Sequence, residues 1–512
     1  MTLQEFNKSY GIQKKLVIYH SDELYKRETA MGAKAGVASV NCEGQHLLAF
    51  ARVKLREYKI GLGEHFDEVD SSTQIGIMLA CVLDLARKKA LSYFKESMLD
   101  SGTVKQLLAD IEILRMEDKL DCLKGSTDSK HNDVSIIAET YIERLRKLKL
   151  YDSIQILEES TELIRAGEIR IEYECLAIYR DVLDTCSHKE RILWDAISSG
   201  RTCEIIDMAI LEESCKPERQ FFKVFGLHNE IHAVVKDVIA RGIPWEQVQV
   251  VTSNTAGFYP LMTYLEGLGI PYCMPEGISE KYCYAASHIQ TYLDNPANFL
   301  IDSHGSVNTG EVFSGLADRL EKVAANPKLP LPSVLTLLNK AALCRKSMAC
   351  YDFEADYYVV VKLVQNILLG GKSLEDQKEE GALYVGSLSH TELAFRPYVY
   401  LIGFEARNYP GDNTQSPILL DEEMRSMGLS EQHLSGKRRE ESEKKLQRIV
   451  ASATKLVTIS YVSYDTVNMR EQNPSAFYQK ERGKTAGKER LFGFAEENRT
   501  DILEAREWLL QK

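Results

Sequence analysis

Between residues 221 and 274, short apolar runs alternate with amphipathic stretches in a pattern that few architectures accommodate. FFKVFG (221–226) reads as a strand, and NEIHAVVKDVIARG (229–242) as a helix closed by a C-cap glycine. VQVVTSN (248–254) reads as a second strand, YPLMTYLEGLG (259–269) as a helix stopping at Gly269, and IPYCM (270–274) as a short third strand. Strand–helix–strand–helix–strand at this spacing implies a parallel sheet covered by helices.

The same alternation recurs on both sides. KKLVIYH (14–20) reads as a buried strand, followed by Ser21 and Asp22, which suit a helix N-cap. GVASV (36–40) reads as a second strand ahead of a helix over 44–57, whose apolar positions are Leu47, Leu48, Val53 and Leu55. From about 72 to 165 the pattern is almost purely helical, as in 74–98 and 134–150. Strand-like ECLAIY (174–179), a helix at 187–198 and strand-like CEIIDM (203–208) follow. Residues 285–375 turn helical again, interrupted by PKLPLP (327–332). ALYVGSL (382–388) and YVYLIGF (398–404) restore the sheet, and a helix at 437–453 with KLVTISY (455–461) closes it. The expectation is an α/β protein of two halves. Residues 1–215 carry a helical insertion at about 72–165, residues 216–475 carry one at about 285–375, and 476–512 form a linker and terminal helix. No solenoid-type repeat is present.

The chain has 512 residues, too many for one ordinary core, so two to four domains are expected. With 44% hydrophobic and 27% charged residues it is neither collagen-like, mucin-like nor wholly disordered. No run of about 18 apolar residues would span a bilayer, and the N-terminus lacks a long apolar signal core. Eleven cysteines without a C-x-x-C pair suggest neither a disulfide framework nor a four-cysteine zinc site. A soluble cytoplasmic protein without membrane partners is expected. The net charge of −12 requires any nucleic-acid contact to be local, or shared with another subunit.

The pieces FGLHNEI, QVVTSN and GLGIPYCM resemble the start of the second motor domain of UvrD-like helicases. YVGSLSHTELAFRPYVYLIGFEARNYPGDNTQSPILLDEEMRSMGL (384–429) resembles the AddB subunit of the AddAB (RexAB) helicase–nuclease. That family shows Gly-Ser, a divergent loop and a strand ending Gly-x-Glu/Asn-Glu-Gly-x-x-Pro, then a Leu-Leu-acidic helix start. KRREESEKKLQRIVASATKLVTISY (437–461) and NPSAFY (473–478) continue the resemblance in order, as does the N-terminal third with SDELYKRE and the helix at 45–55. It covers most of the chain at a distant level and rests on the order of several weak motifs. It implies two RecA-like parallel-sheet domains, each with a helical insertion. An AddA-like helicase–nuclease partner, double-strand break repair and recombination, and contact with single-stranded or forked DNA are implied as well.

The chain departs from the helicase pattern where catalysis would sit. A phosphate loop needs G-x-x-x-x-G-K-[ST], so that backbone N–H groups wrap the phosphates and the lysine reaches them. Gly371-Lys372-Ser373 and Gly483-Lys484-Thr485 end that way, but Asn366 and Tyr478 stand at the first glycine and both contexts are loop-like. The chain is read as starting about one strand too late to include the family's loop. Near the expected magnesium-orienting acids lie Asp181 and Asp184, without an adjacent Asp-Glu on the strand end. Ser452 stands where the family has its transition-state arginine. No ATP hydrolysis, cofactor or metal is expected.

The family's C-terminal nuclease needs an Asp and an Asp/Glu-x-Lys at a strand end. Glu117-Asp118-Lys119, Asp376-Gln377-Lys378 and Glu443-Lys444-Lys445 match only the short pattern, and Cys344 and Cys350 lack the neighbouring C-x-x-C of an iron–sulfur site. The nuclease is read as absent from this chain. His228 and His232, four apart on a helix, have zinc-ligand spacing but no third ligand, with Glu230 between them on a different face. No G-x-S-x-G elbow supports hydrolase chemistry.

For DNA contact, the resemblance nominates loops after sheet strands: Thr252, Ser253 and Asn254, and Ser387, Ser389, His390 and Thr391. Helix capping is the structural alternative for Thr252 to Asn254. The helix at 437–448 adds Lys437, Arg438 and Arg439, with Lys444, Lys445 and Arg448 interleaved with Glu440, Glu441 and Glu443. Such mixed spacing equally suits a solvated helix with internal pairs. KERGKTAGKER (480–490) could hold phosphates or keep a linker soluble. The leading expectation is a catalytically inactive, AddB-like scaffold or DNA-contacting subunit. The alternatives are a protein–protein adaptor of helicase-like fold without nucleic-acid binding, and a fragment of an AddB-like exonuclease subunit.

Overall fold

In the computed structural model, residues 1–95, 101–207, 217–253, 257–303, 305–373, 381–388, 396–410, 415–484 and 489–492 are described. They belong to two compact units, the first made of Met1–Ala209, Ser279–Gly371 and Gln415–Leu434, the second of Ile210–Ile278, Lys372–Thr414 and Ser435–Lys512.

The first unit is built on a four-stranded parallel sheet of β1 (Lys15–Ile18), β2 (Cys42–Gln45), β3 (Cys175–Tyr179) and β4 (Thr202–Ile206). Their order is β2-β1-β3-β4. The two central strands are buried at every position, which is why they read as continuous apolar runs. The strand expected at 36–40 lies instead at 42–45. Helix α1 (Asp22–Lys34), N-capped by Ser21, ends with Gly36 at φ 75°, and the Val37 N–H returns to the Gly32 carbonyl at 2.8 Å. Val37 therefore closes the helix end and cannot join a ladder. The true strand, CEGQ, is a polar edge strand with no apolar signal.

Helices Ser71–Arg87, α2 (Ser101–Met116), Ser129–Leu148 and α3 (Ser153–Arg165) occupy the first insertion, as their periodicity predicts. The second insertion, with helices Tyr284–Leu293, Thr309–Ala324, Leu331–Cys350 and Tyr357–Leu369, belongs to the first unit. It shares one apolar core with the first insertion: Ile77, Leu107, Ile137, Phe313, Cys344 and Leu363 belong to a single buried cluster. The Tyr351 hydroxyl donates to the Thr73 carbonyl at 2.8 Å, linking the two insertions. Amphipathic helices from distant segments bury their stripes against each other, so the unit boundaries differ from those expected. Beyond α3 and β3 comes the short helix α4 (Arg180–Thr185).

The second unit carries an eight-stranded sheet. Its parallel strands are β5 (Glu218–Phe225), β6 (Val248–Thr252), β7 (Tyr272–Cys273), β8 (Leu383–Ser387), β9 (Tyr398–Ile402), β10 (Leu456–Asp465) and β11 (Glu489–Phe492), in the order β11-β5-β10-β9-β6-β8-β7. The short Arg470–Glu471 pairs antiparallel with β10. Helices α5 (Leu227–Ala240), α6 (Ser435–Ser452) and α7 (Ala476–Lys484) belong to this unit. Part of the expected linker after 476 is thus structured: α7 leads to β11, which lies parallel to β5 at the sheet edge.

Candidate functional site

In parallel α/β sheets, ligands bind outside the carboxyl ends of the strands where successive connections diverge. In the second unit that point falls between neighbours β6 and β9: β6 leads on to β7 on one side, β9 to β10 on the other. At this edge the chain has drawn its strand ends together. The Ser253 N–H donates to the Ile402 carbonyl at 3.1 Å, and the Ser253 hydroxyl donates to the Gly403 carbonyl. Gly403 has φ 76°, and a Cβ there would stand 2.9 Å from Ser253 Oγ, so glycine is needed on both counts.

Two carboxylates fill the space behind this junction. Glu230, in the first turn of α5, accepts the Gly403 N–H at 3.0 Å and the Ser460 hydroxyl at 2.5 Å. Its Oε2 is buried and has no hydrogen-bond partner among the described residues. Glu405, also buried, accepts the Val462 N–H at 2.7 Å and Asn408 Nδ2 at 2.6 Å. Burial pushes both groups above the usual carboxylate range, and the charge of Glu405 raises Glu230 further. Such a pair holds a proton more firmly than an exposed carboxylate does. Its chemistry is to tie α5, the β9 loop and β10 together.

The nominated DNA residues are not equally available. Thr252 is buried at 2% exposure with its hydroxyl unpartnered among the described residues, while Ser253 is half-buried. The Ser387 N–H, at the end of β8, donates to buried Glu276, which also pairs with Lys372 at 3.1 Å. Lys372, from the tempting Gly371-Lys372-Ser373, is therefore held in an ion pair. Asn254, Ser389, His390 and Thr391 lie outside the described residues, as does the side chain of Arg438. On α6, Lys437 pairs with Glu440 at 2.8 Å, and Arg439 lies 3.7 Å from Glu443. These are internal helix pairs at three- and four-residue spacing.

The remaining constellations resolve into packing and ion pairs. His232 stacks on Tyr264, with centroids 4.2 Å apart, and burial followed by the His228 charge lowers its pKa. Lys484 pairs with Glu481 at 2.6 Å. Glu117 meets His433 at 3.0 Å and Asp118 meets Lys189 at 3.3 Å, whereas Asp376, Gln377 and Lys378 lie outside the described residues. Cys344 and Cys350 are buried. The Ser452 hydroxyl donates to the Ile449 carbonyl at 2.7 Å. Among the described residues one group has metal-ligand proximity, Asp128, His131 and Glu423 in the first unit. There Lys130 donates to both Glu423 oxygens at 2.7 and 2.8 Å, and Asp128 caps a helix, so an ammonium already serves the carboxylate.

In the first unit, successive connections diverge between β1 and β3. The loop after β1 is only Tyr19–Ser21 before α1 begins. His20 Nε2 meets Thr185 Oγ1 of α4 at 2.8 Å, and the Tyr179 hydroxyl donates to Glu28 of α1 at 2.7 Å, so both strand ends are bridged. Beside them Tyr19 and Tyr25 stack at 4.8 Å over Gly44, where any Cβ would overlap the Tyr25 ring. Asp181 has one buried oxygen without a partner among the described residues.

These features define a mixed α/β protein with two mostly parallel sheets. No family model matches the chain, and no curated protein matches it either. No helix among the described residues is long and apolar enough to cross a membrane.

Sequence reasoning passed over Glu405 and Glu276. An acidic residue directly after an apolar strand, as in YVYLIGFE, was the available signal. Glu230 was visible, but its importance depends on Gly403 and Ser460, far away in sequence.

Proposed function

We propose that this chain is a catalytically silent, AddB-like subunit of helicase fold. It contacts single-stranded or forked DNA in the cytoplasm, alongside an AddA-like helicase–nuclease that supplies ATP hydrolysis for double-strand break repair and recombination. In this reading the two sheets are RecA-like domains. What supports the silent reading is the loop after β1, which has three residues and is bridged to α4 by His20 and Thr185. A triphosphate needs a longer, glycine-rich loop whose N–H groups converge on it.

The test is fluorescence anisotropy of the full chain on a forked duplex and a single strand across a salt series, with phosphate release measured in parallel. Binding that weakens steeply with salt, without phosphate release, is the expected result. Stimulated phosphate release would overturn the silent-subunit reading. Absence of binding at low salt would overturn autonomous DNA contact. It would favour a protein–protein adaptor, the second reading, which draws support from the net charge of −12.

A further inference from the structure

A cleft of about 660 Å³ opens in the second unit between α6, α7 and Tyr409–Pro410. Its wall includes two aromatic rings, Tyr409 and Phe477, which meet at 5.9 Å and 69°. Its rim is cationic, with Arg219, Arg439, Lys480 and Lys484 set against two acids, Glu443 and Glu481. The buried Glu481 serves two of these cations, Arg219 and Lys484. Lys480 is exposed and has no ion-pair partner among the described residues. In a chain of net charge −12, this is a local cationic excess.

A second observation is independent of charge. Tyr409 is 4% exposed, yet its hydroxyl has no hydrogen-bond partner among the described residues. Buried polar groups left unpaired are rare and costly. Burial also pushes the Tyr409 pKa up to about 12, so the hydroxyl keeps its proton and can donate. The cleft thus offers aromatic rings in its wall, a donor within it and cations at its rim.

We propose that this cleft binds a nucleotide, its base against the Phe477 and Tyr409 wall, the Tyr409 hydroxyl donating to an acceptor on the ligand, and its phosphate at the cationic rim. Aromatic wall and cationic rim are the two elements by which proteins hold single nucleotide units, and the volume suits a small ligand. The proposal does not rest on the helicase-like reading, because a chain that never contacts DNA could still hold a nucleotide here. The source is either a free mononucleotide or the phosphorylated end of a strand.

Calorimetric titration of the full chain with dAMP, dTMP, 5′-phosphorylated and unphosphorylated (dT)4, and inorganic phosphate tests it. Saturable mononucleotide binding, tighter than inorganic phosphate, is the expected result. Tyr409→Phe should weaken it about fivefold, the loss of one hydrogen bond, with a melting temperature equal to or above the parent's because the removed hydroxyl has no partner among the described residues. Lys480→Glu should weaken it about tenfold or more by reversing a charge that meets the phosphate. Equal affinity for dTMP and the phosphorylated oligomer assigns the free nucleotide, and a preference for the phosphorylated oligomer assigns the strand end. No binding, equal affinity for inorganic phosphate, or a Tyr409→Phe variant with unchanged affinity would each overturn the proposal.

Discussion

Glu230 on α5 accepts the backbone N–H of Gly403 at 3.0 Å, across 173 positions of sequence, and leaves its other oxygen buried without a partner among the described residues. That single contact joins the start of a helix to the loop leaving β9. Because burial and the Glu405 charge raise its pKa, ionising Glu230 in the folded chain is unfavourable. The sign follows directly. Its contribution to stability is fully present below the unfolded carboxyl pKa of about 4.3 and is lost as pH rises through the folded value. Each tenfold displacement of the ionisation is worth about 1.4 kcal/mol. Glu230→Gln should therefore flatten the loss of stability between mildly acidic and mildly alkaline pH. Urea midpoints of parent and variant across that range check it. Glu112, raised to about 7 mainly by burial, titrates with the same sign in both chains and cancels in the difference. Parallel curves for the two proteins would contradict the assignment.

Gly403 itself is doubly constrained, by φ 76° and by Ser253 Oγ at 2.9 Å from a Cβ. Gly403→Ala is expected to destabilise the second unit by roughly 1–3 kcal/mol, the cost of a non-glycine residue in this backbone region plus displacement of Ser253. Adding Ser253→Gly should recover only the steric part. A thermal melt of the single and double variants separates the two costs.

In the first unit, Arg115 of α2 and Asp152, the N-cap of α3, form a buried bidentate pair, with the longer contact at 3.3 Å. Arg115→Met should cost about 3–5 kcal/mol by leaving Asp152 charged and uncompensated in the interior. Asp152 also accepts the Gln155 N–H at 2.8 Å in a capping box. Arg115→Met combined with Asp152→Asn, which keeps a capping acceptor, should therefore be more stable than Arg115→Met alone. Chemical denaturation monitored by circular dichroism would show the order parent, double variant, single variant.

What the sequence revealed follows from where the physical signal is local. β1, β3, β6, β9 and β10 are mostly apolar runs because most of their positions are buried, and each stands close to its expected place. β2 was displaced because CEGQ is a polar edge strand paired with β1, while the more apolar GVASV nearby serves the end of α1. The second helical insertion was visible as helices but not as part of the first unit. An amphipathic stripe states that a partner exists without naming it, and here the partner lies far upstream, as Tyr351 on Thr73 illustrates. The carboxylate junction had the same obstacle. Glu230, Gly403 and Ser460 are each ordinary in their own segments and meet only through the order of the sheet.

The basic start of α6 offers the sharpest remaining discrimination. Half-buried Lys437 and exposed Arg439 pair with Glu440 and Glu443 along the helix, at 2.8 and 3.7 Å. Exposed pairs of this kind are worth about 0–1 kcal/mol, so they can be surrendered to a phosphate at little cost. Lys437→Ala with Arg439→Ala should consequently leave stability within about 1 kcal/mol of the parent. If the helix meets the DNA backbone, the slope of log affinity against log salt becomes shallower by about 0.7 for each lost contact on a single strand, and by about 0.9 on a duplex. That is the outcome expected of the DNA-contacting subunit. An unchanged slope would return both residues to the solvated helix face and remove α6 from the nucleic-acid surface. The intrahelical pairs favour neither result, since the acids hold the same cations whether or not a phosphate is near.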